Sequence, residues 1–492
     1  MNKKYRSSLR PPFIYGNRTK EDVENDIVKV IGGKPTKRWL SAIAFSLLLL
    51  SFGGYCVYRT WWDGVGMWGE NKTVNWAWDI TNFVWWIGLG HAGTLISAIL
   101  LLFRAKWRNS INRSAEAMTL CAVTCSGFFI LAHLGRPWLV HFIFPYPNTY
   151  GSLWPNFNSP LVWDAFAVLT YFLVSLLFWY LGLVPDLATM KNRTTGMRRW
   201  LYKVFSLNWD SSAWTWRRYQ SVMLVIAGMA TALVVSVHSI VSMDFSAGII
   251  PGWHSTIFPP YFVAGAILSG FAMVISLMII TRYVLHLENY ITIEHVDRMN
   301  QIVILNSGLI GIAYFTEIFM AYYSVNDYES SMMNFRIFGY YKVYFIIMMT
   351  CNVFIPQLLL IKKIRRNIIA SFIISIFVNV GMWVERFVLI VTSLAHDFLP
   401  TSWAIFNPTM YDIGTFMFSF GLFMFMFLLF ARYLPIISMS EVKEDALSYP
   451  STLAEHEETT ALQPVESRGF FRRQTKWKRK QGEELSENDG EE

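Results

Sequence analysis

Ten stretches of the chain are apolar and long enough to cross ~30 Å of hydrocarbon as helices of about 20 residues. They lie near 40–61, 80–103, 115–134, 160–184, 219–242, 260–284, 300–321, 340–361, 367–393 and 411–434. The polar segments between them carry an independent signal, because Lys and Arg are retained on the cytoplasmic side of a membrane. Every second loop is basic. The loop after span 2 holds Arg104, Lys106, Arg108 and Arg113; that after span 4 holds Lys191, Arg193, Arg198, Arg199, Lys203, Arg217 and Arg218; that after span 8 holds Lys362, Lys363, Arg365 and Arg366. The loop after span 6 has only Arg282 and Arg298, and the opposite set carries little beyond Lys72, Arg136 and Arg336. A missed or invented span would throw this alternation out of phase. The pattern predicts an all-α integral membrane protein of ten transmembrane helices with both termini cytoplasmic.

Composition agrees and narrows the field. Hydrophobic residues make up 54% of the 492 and charged residues 15%, outside the range of soluble globular chains, and the 17% of aromatics fits Trp and Tyr at membrane interfaces. The net charge of +8 segregates by membrane face, so it is not the footprint of a nucleic-acid binder. Cys56, Cys121, Cys125 and Cys351 all fall in predicted spans, and none forms a Cys-x-x-Cys or Cys-x-x-Cys-His sequence. Covalent haem, a cysteine-ligated cluster and a zinc site on this chain are therefore not expected, and no metal ligands are assigned. The first apolar run follows a polar segment without an Ala-x-Ala-like site and reads as a retained span. Residues 1–39 read as a cytoplasmic N-terminal segment, 40–434 as the membrane domain, and 435–492 as a polar, flexible cytoplasmic tail ending in "FRRQTKWKRK" and "GEELSENDGEE".

One motif is misleading. "GLGHAG", Gly88 to Gly93, satisfies the dinucleotide-binding glycine pattern but lies in mid-span, without the strand that pattern needs. Its glycines read as small residues that let helices approach in lipid, which turns His91 toward a neighbouring helix.

The titratable residues gather at the outer face. Span 3 runs outward to His133 in "LAHLGRPWLVHF", and span 4 returns with Asp164 about one turn in. The two spans are expected to be antiparallel neighbours with His133 and Asp164 at matching depth. In the same outer half lie Asp79, His141, His238, Asp244, His254, Glu317, His396 and Asp397, and deeper in span 9 come Glu385 and Arg386. Charges within a membrane are costly and mark pathways or paired sites. The long loop from Gly135 to Ser159, with Pro137, Pro145, Pro147 and Pro155 among Trp138, Phe142, Phe144, Tyr146, Tyr150 and Trp154, would wall a cleft or seat a partner. A lipid-soluble quinol suits such a cleft: its tail needs an apolar slot, and its ring hydroxyls need an imidazole and a carboxylate as proton acceptors.

"HLGRPW" at the end of span 3, Asp164 early in span 4 and "ERF" at 385–387 resemble the NrfD/polysulfide-reductase family of membrane subunits. The ten spans and the two tails most resemble the quinol-binding ActC subunit of bacterial alternative complex III. The resemblance implies two four-helix bundles, spans 2–5 and 6–9, with spans 1 and 10 outside them, in a bacterial inner membrane. It implies a quinone cofactor, menaquinone in preference to ubiquinone, with no haem or iron–sulfur cluster on this chain. It also implies quinol oxidation near the outer face with proton release or translocation, and as partners an extracytoplasmic iron–sulfur subunit, multihaem cytochromes c, a second NrfD-like subunit and, as an optional addition, a terminal oxidase.

On that reading His133 and Asp164 are the catalytic pair, with Arg136, Trp138 and His141 completing the quinone site and Arg136 holding local charge or the Asp164 carboxylate. Asp79, His91, His238, Asp244, Glu317, Glu385 and Arg386 are the candidates for a proton pathway. Two alternatives stay open on the residues alone: a haem b held by His91 or His133 with His238, and a proton-conducting or transport module with no redox role. A duplication of the two halves is faint: "WIGLGHAG" and "VAGAILSG" align, but "HLGRP" has no counterpart after span 7.

Overall fold

The computed structural model describes residues 13–14, 19–143 and 160–448. Among the described residues, ten helices are long and apolar enough to cross a membrane: Lys37–Asp63, Trp78–Leu102, Asn112–His133, Pro160–Arg193, Ala213–Ser246, Phe258–Val284, Ile293–Tyr323, Lys342–Leu360, Ile368–Ala395 and Met410–Tyr433. They are spans 1 to 10. Side chains in the flanking loops set several of the starts. Asn367 accepts from the Ile369 and Ala370 N–H groups ahead of span 9, and Thr409 and Asp412 form a reciprocal capping box at span 10. Span 4 runs 34 residues and passes through Pro185 to Arg193, further than its apolar run. The continuation is polar but buried, since Asp186 accepts the Ser440 N–H at 3.0 Å and faces Arg113 at 3.5 Å.

The helices sort into the two expected groups. Spans 2, 3, 4 and 5 enclose one bundle and spans 6, 7, 8 and 9 a second, joined along spans 2, 5 and 6 and between spans 2 and 9. Spans 1 and 10 pair closely with each other and lie against span 3, outside both bundles. Span 2 is the central strut, buried on every side of its helical turn, as a helix apolar all round must be. Its glycines make the approach possible: a Cβ on Gly93 would overlap the Ala115 carbonyl, and one on Gly270 of span 6 would overlap the Ala92 Cβ.

Outside the spans, the chain folds more than its composition predicts. Gly196–Phe205 is an amphipathic helix with Arg198, Arg199 and Lys203 among exposed Met197, Trp200 and Phe205, the pattern of a helix lying in the membrane interface. Residues 435 to 448, expected as part of a flexible tail, instead fold back: Ile436, Ile437, Met439 and Val442 are buried, and Met439–Ser448 is a helix. Apolar residues spaced for one face and a charge, Glu441, that bonds Arg108 and Asn112 hold it there. The N-terminal helix Lys20–Gly32 packs on it through Val23, Ile27 and Ile31, with Lys443 and Glu24 paired. Both ends of the described chain therefore meet at one face of the bundle, as an even span count requires.

Candidate functional site at the outer face

Span 3 ends at His133, and its imidazole turns back against the first turn of span 2. Its Nδ1 bonds the Asp79 carboxylate Oδ2. Asp79 is 1% exposed in its side chain, whereas His133 is 28% exposed. The acid is therefore an internal anchor and the imidazole the open edge. Asp79 is oriented by the local chain, its other oxygen accepting the Ala77 N–H at 3.0 Å. A partner on Nδ1 fixes which ring nitrogen faces outward, and His133 Nε2 is left without a partner among the described residues. Trp76 supports the ring edge-on, with centroids 6.2 Å apart, and also touches Phe245 and Trp253. The aromatic wall so formed joins span 3, span 5 and the outer loops.

Asp79 has a further neighbour in Glu70, from the loop ahead of span 2. Burial first, then the carboxylates of Asp79 and Asp412, push the Glu70 carboxyl up to about 11. It is a neutral acid at physiological pH.

Asp164 is not the partner of His133. It lies at the outer end of span 4, buried, and its carboxyl meets that of Asp244 on span 5. The expected single pair is thus two pairs, His133 with Asp79 and Asp164 with Asp244. The reason is direction: the His133 side chain leans back along its own helix toward span 2, and Asp164 faces the interior of the first bundle toward span 5. Trp76, packed on His133 and on Phe245 next to Asp244, bridges the two. Arg136, expected to hold the Asp164 carboxylate, is exposed and has no ion pair among the described residues. Trp138 is also exposed, and His141 bonds only the Trp138 carbonyl, at 3.2 Å, within a 3-10 turn. The remainder of that loop, with Phe144, Pro145, Tyr146, Pro147, Tyr150, Trp154 and Pro155, lies outside the described residues.

Residues 66–396 match the family model described as Polysulphide reductase, NrfD. The chain belongs to the NrfD polysulphide reductase family. The match starts just before Glu70 and ends with span 9, so it takes in both bundles and leaves out spans 1 and 10. A relative from Halobacterium salinarum (strain ATCC 700922 / JCM 11081 / NRC-1), named as a "putative dimethyl sulfoxide reductase membrane subunit", is 26% identical over 245 residues. That alignment covers 49% of this chain and 51% of the relative, so the chain spans about half the length of the curated protein it matches.

Deeper in the NrfD bundles, the other predicted residues form two groups. His91 and His238 meet at the core of the first bundle with ring centroids 4.7 Å apart, and His91 stacks on Tyr171 at 4.8 Å. His91 Nδ1 donates to the Ile87 carbonyl, which sets its tautomer. The two imidazoles touch each other, and His238 packs against Gly88, so there is no slot between them for the porphyrin plane of the haem alternative. In the second bundle, Glu385 bonds Tyr314 and Asn352 and pairs with Arg386 at 2.9 Å, while Glu317 pairs with Arg336 at 2.5 Å. A cavity of about 10 Å³, room for one water, lies between Glu317, Arg336, Tyr314 and Glu385. Asn352 reaches Glu385 from a π-helical turn, Thr350–Phe354, that widens span 8. Among the described residues, no three His, Cys, Asp or Glu side chains converge as a metal site.

Residues 62–77 read as an ordinary hydrated loop, and so Glu70 and Trp76 escape sequence reasoning. The loop holds two acids ahead of Asp79, Asp63 and Glu70, and nothing in their spacing singles out Glu70.

Proposed function

We propose that the chain is the membrane subunit of a respiratory quinol-oxidising complex of the alternative complex III type. Quinol binds at the outer end of the first bundle, between the His133 ring and the aromatic wall around Trp76. The observation that carries this reading is the buried Asp79 carboxylate holding Nδ1 of a half-open imidazole, so that Nε2 faces outward as a proton acceptor. A general base needs that geometry before it needs a tuned pKa. The quinol hydroxyl gives its proton to His133, and Asp79 stabilises the imidazolium that forms. Electrons pass to a partner iron–sulfur subunit on the outer side and from there to multihaem cytochromes c; a second NrfD-like subunit and an optional terminal oxidase complete the assembly. Protons leave outward. Asp164 and Asp244, whose carboxyl groups face each other, take the second role at the site or begin a path inward toward His91 and His238. The Glu385–Arg386 and Glu317–Arg336 pairs serve proton translocation in the second bundle. Menaquinone is the quinone expected.

A second reading concerns only the terminal partner. The relative's name favours an assembly in which electrons from the same quinol site reach a reductase such as one for dimethyl sulfoxide. A purified assembly with c-type haem spectra supports the first reading, and one without them that reduces dimethyl sulfoxide supports the second.

His133→Ala and Asp79→Asn, tested in the assembled complex, should each lower quinol oxidation by roughly a hundredfold or more while the complex assembles unchanged. Normal turnover in both variants would refute the assignment.

A further inference from the structure

We propose that Glu70 is the exit residue of a proton relay running from His133 through Asp79 to the outer aqueous phase. The inference rests on the quinol reading of His133. Three pieces of chain meet to make the path: the end of span 3, the first turn of span 2 and the loop before it. His133 Nδ1 is bonded to Asp79 Oδ2. At 1% side-chain exposure, Asp79 has no route of its own to water. Its other oxygen takes the Ala77 N–H, and the Glu70 carboxyl lies against the Asp79 carboxyl. Two carboxyl groups joined in this way share a proton.

The groups around Glu70 leave it only this role. Asp412, its other acidic neighbour, is committed to the Thr409 N–H at 2.7 Å and the Gly69 N–H at 2.9 Å as the cap of span 10. No basic side chain bonds Glu70 among the described residues, so it is not the anionic half of an ion pair. Glu70 Oε1 is buried without a hydrogen-bond partner among the described residues, while the residue as a whole is partly exposed in the outer loop. Because burial and its acidic neighbours keep Glu70 protonated, the relay works by exchange: a proton arriving from Asp79 displaces the one that Glu70 holds.

One passage balances as follows. A quinol O–H bond breaks and an N–H bond forms at His133 Nε2. The Nδ1 proton moves to Asp79, Asp79 passes a proton to Glu70, and Glu70 releases one to outer water. The imidazole is left protonated at Nε2, and loss of that proton to water with uptake of one from water at Nδ1 restores its starting tautomer. Two passages clear one quinol, and its two electrons go to the iron–sulfur partner.

The test uses the assembled complex with Glu70→Gln, Glu70→Asp and His133→Ala, comparing quinol turnover against pH in H₂O and D₂O with binding of a quinone-analogue inhibitor. Glu70→Gln should slow turnover about tenfold or more, enlarge the solvent isotope effect and leave inhibitor affinity unchanged, and Glu70→Asp should recover part of the rate. Wild-type turnover and isotope effect in Glu70→Gln would overturn the relay, as would a loss confined to inhibitor binding, which marks a structural residue. Should Glu70→Gln fail to assemble, Glu70→Asp decides alone: a slowed rate with an enlarged isotope effect supports the relay, and a wild-type rate and isotope effect overturn it. Loss of turnover in His133→Ala with none in Glu70→Gln sinks the relay only, whereas full turnover in His133→Ala sinks the quinol reading beneath it.

Discussion

At the scale of single residues, burial decides what each charge can do. Arg113 is almost wholly enclosed, yet its guanidinium meets Glu116 at 3.0 Å, the Gly182 carbonyl at 2.6 Å and Asp186 at 3.5 Å. Glu441, from the folded-back tail, closes the same cytoplasmic cluster through Arg108 at 2.7 Å. Burial alone would raise the Glu441 pKa, but Arg108 and Arg113 outweigh it and hold the carboxyl below its ordinary value of 4.5. A depressed folded pKa means stability that is present above the unfolded value and lost as pH falls through the folded one. Glu441→Gln should therefore cost roughly 1.5–3 kcal/mol at pH 7, and the gap to the natural chain should close below the ordinary carboxylate range. Thermal denaturation of the purified protein at pH 7 and at about pH 3 checks this, and a gap that does not change with pH would show that the Glu441 charge is not its source. The candidate site is only partly legible at this scale. His133 stands out because an imidazole ending an apolar run is costly unless it is used. Its partner does not, since the choice among Asp79, Asp164 and Arg136 depends on which way a side chain leaves its helix, and a linear spacing does not contain that direction.

At the scale of helices, length and hydropathy carry most of the information. All ten spans fall where the apolar runs lie, because a segment in lipid must satisfy its backbone internally and so must be a helix of at least membrane thickness. What the runs miss are elements stabilised by something other than apolar length: the interfacial helix Gly196–Phe205, the outer helix Asp327–Phe338, whose Arg336 bonds Thr392 and Ser393 of span 9, and the return of residues 435–448. The glycines of spans 2 and 6 are the points where sequence and packing agree most closely. A larger side chain at Gly270 would have to displace Ala92 and the Leu89 carbonyl, which a rigid helix pair resists. Gly270→Leu is expected to destabilise by at least about 1–3 kcal/mol and to part the two bundles, whereas Gly228→Leu, at a position with open space around the Cα, should be tolerated. Melting temperature and monodispersity of the two detergent-solubilised variants give the comparison; equal stability would mean that the bundles do not meet along spans 2 and 6.

For the molecule as a whole, the segregation of Lys and Arg sets which end of the bundle faces the cytoplasm, and the folded ends place Lys20–Gly32 and Met439–Ser448 together at that side. Single cysteines introduced at Lys72 or Ser402 in a cysteine-free background should react with a membrane-impermeant maleimide in intact cells, and one at Met197 should react only after lysis. The reverse pattern would move the His133 site to the cytoplasmic face and remove the basis for an outward electron partner.

The sequence by itself determined the class of the molecule: a helical membrane protein of ten spans, its orientation and its NrfD character. These depend on the transfer of apolar residues from water and on the charge beside each span, which are properties additive along a chain. Only the tertiary structure decided that His133 answers to Asp79, that Asp164 meets Asp244, and that a loop acid, Glu70, lies beside Asp79. Hydrogen bonds are directional and short in range, so their partners exist only once helices distant in sequence have been packed side by side.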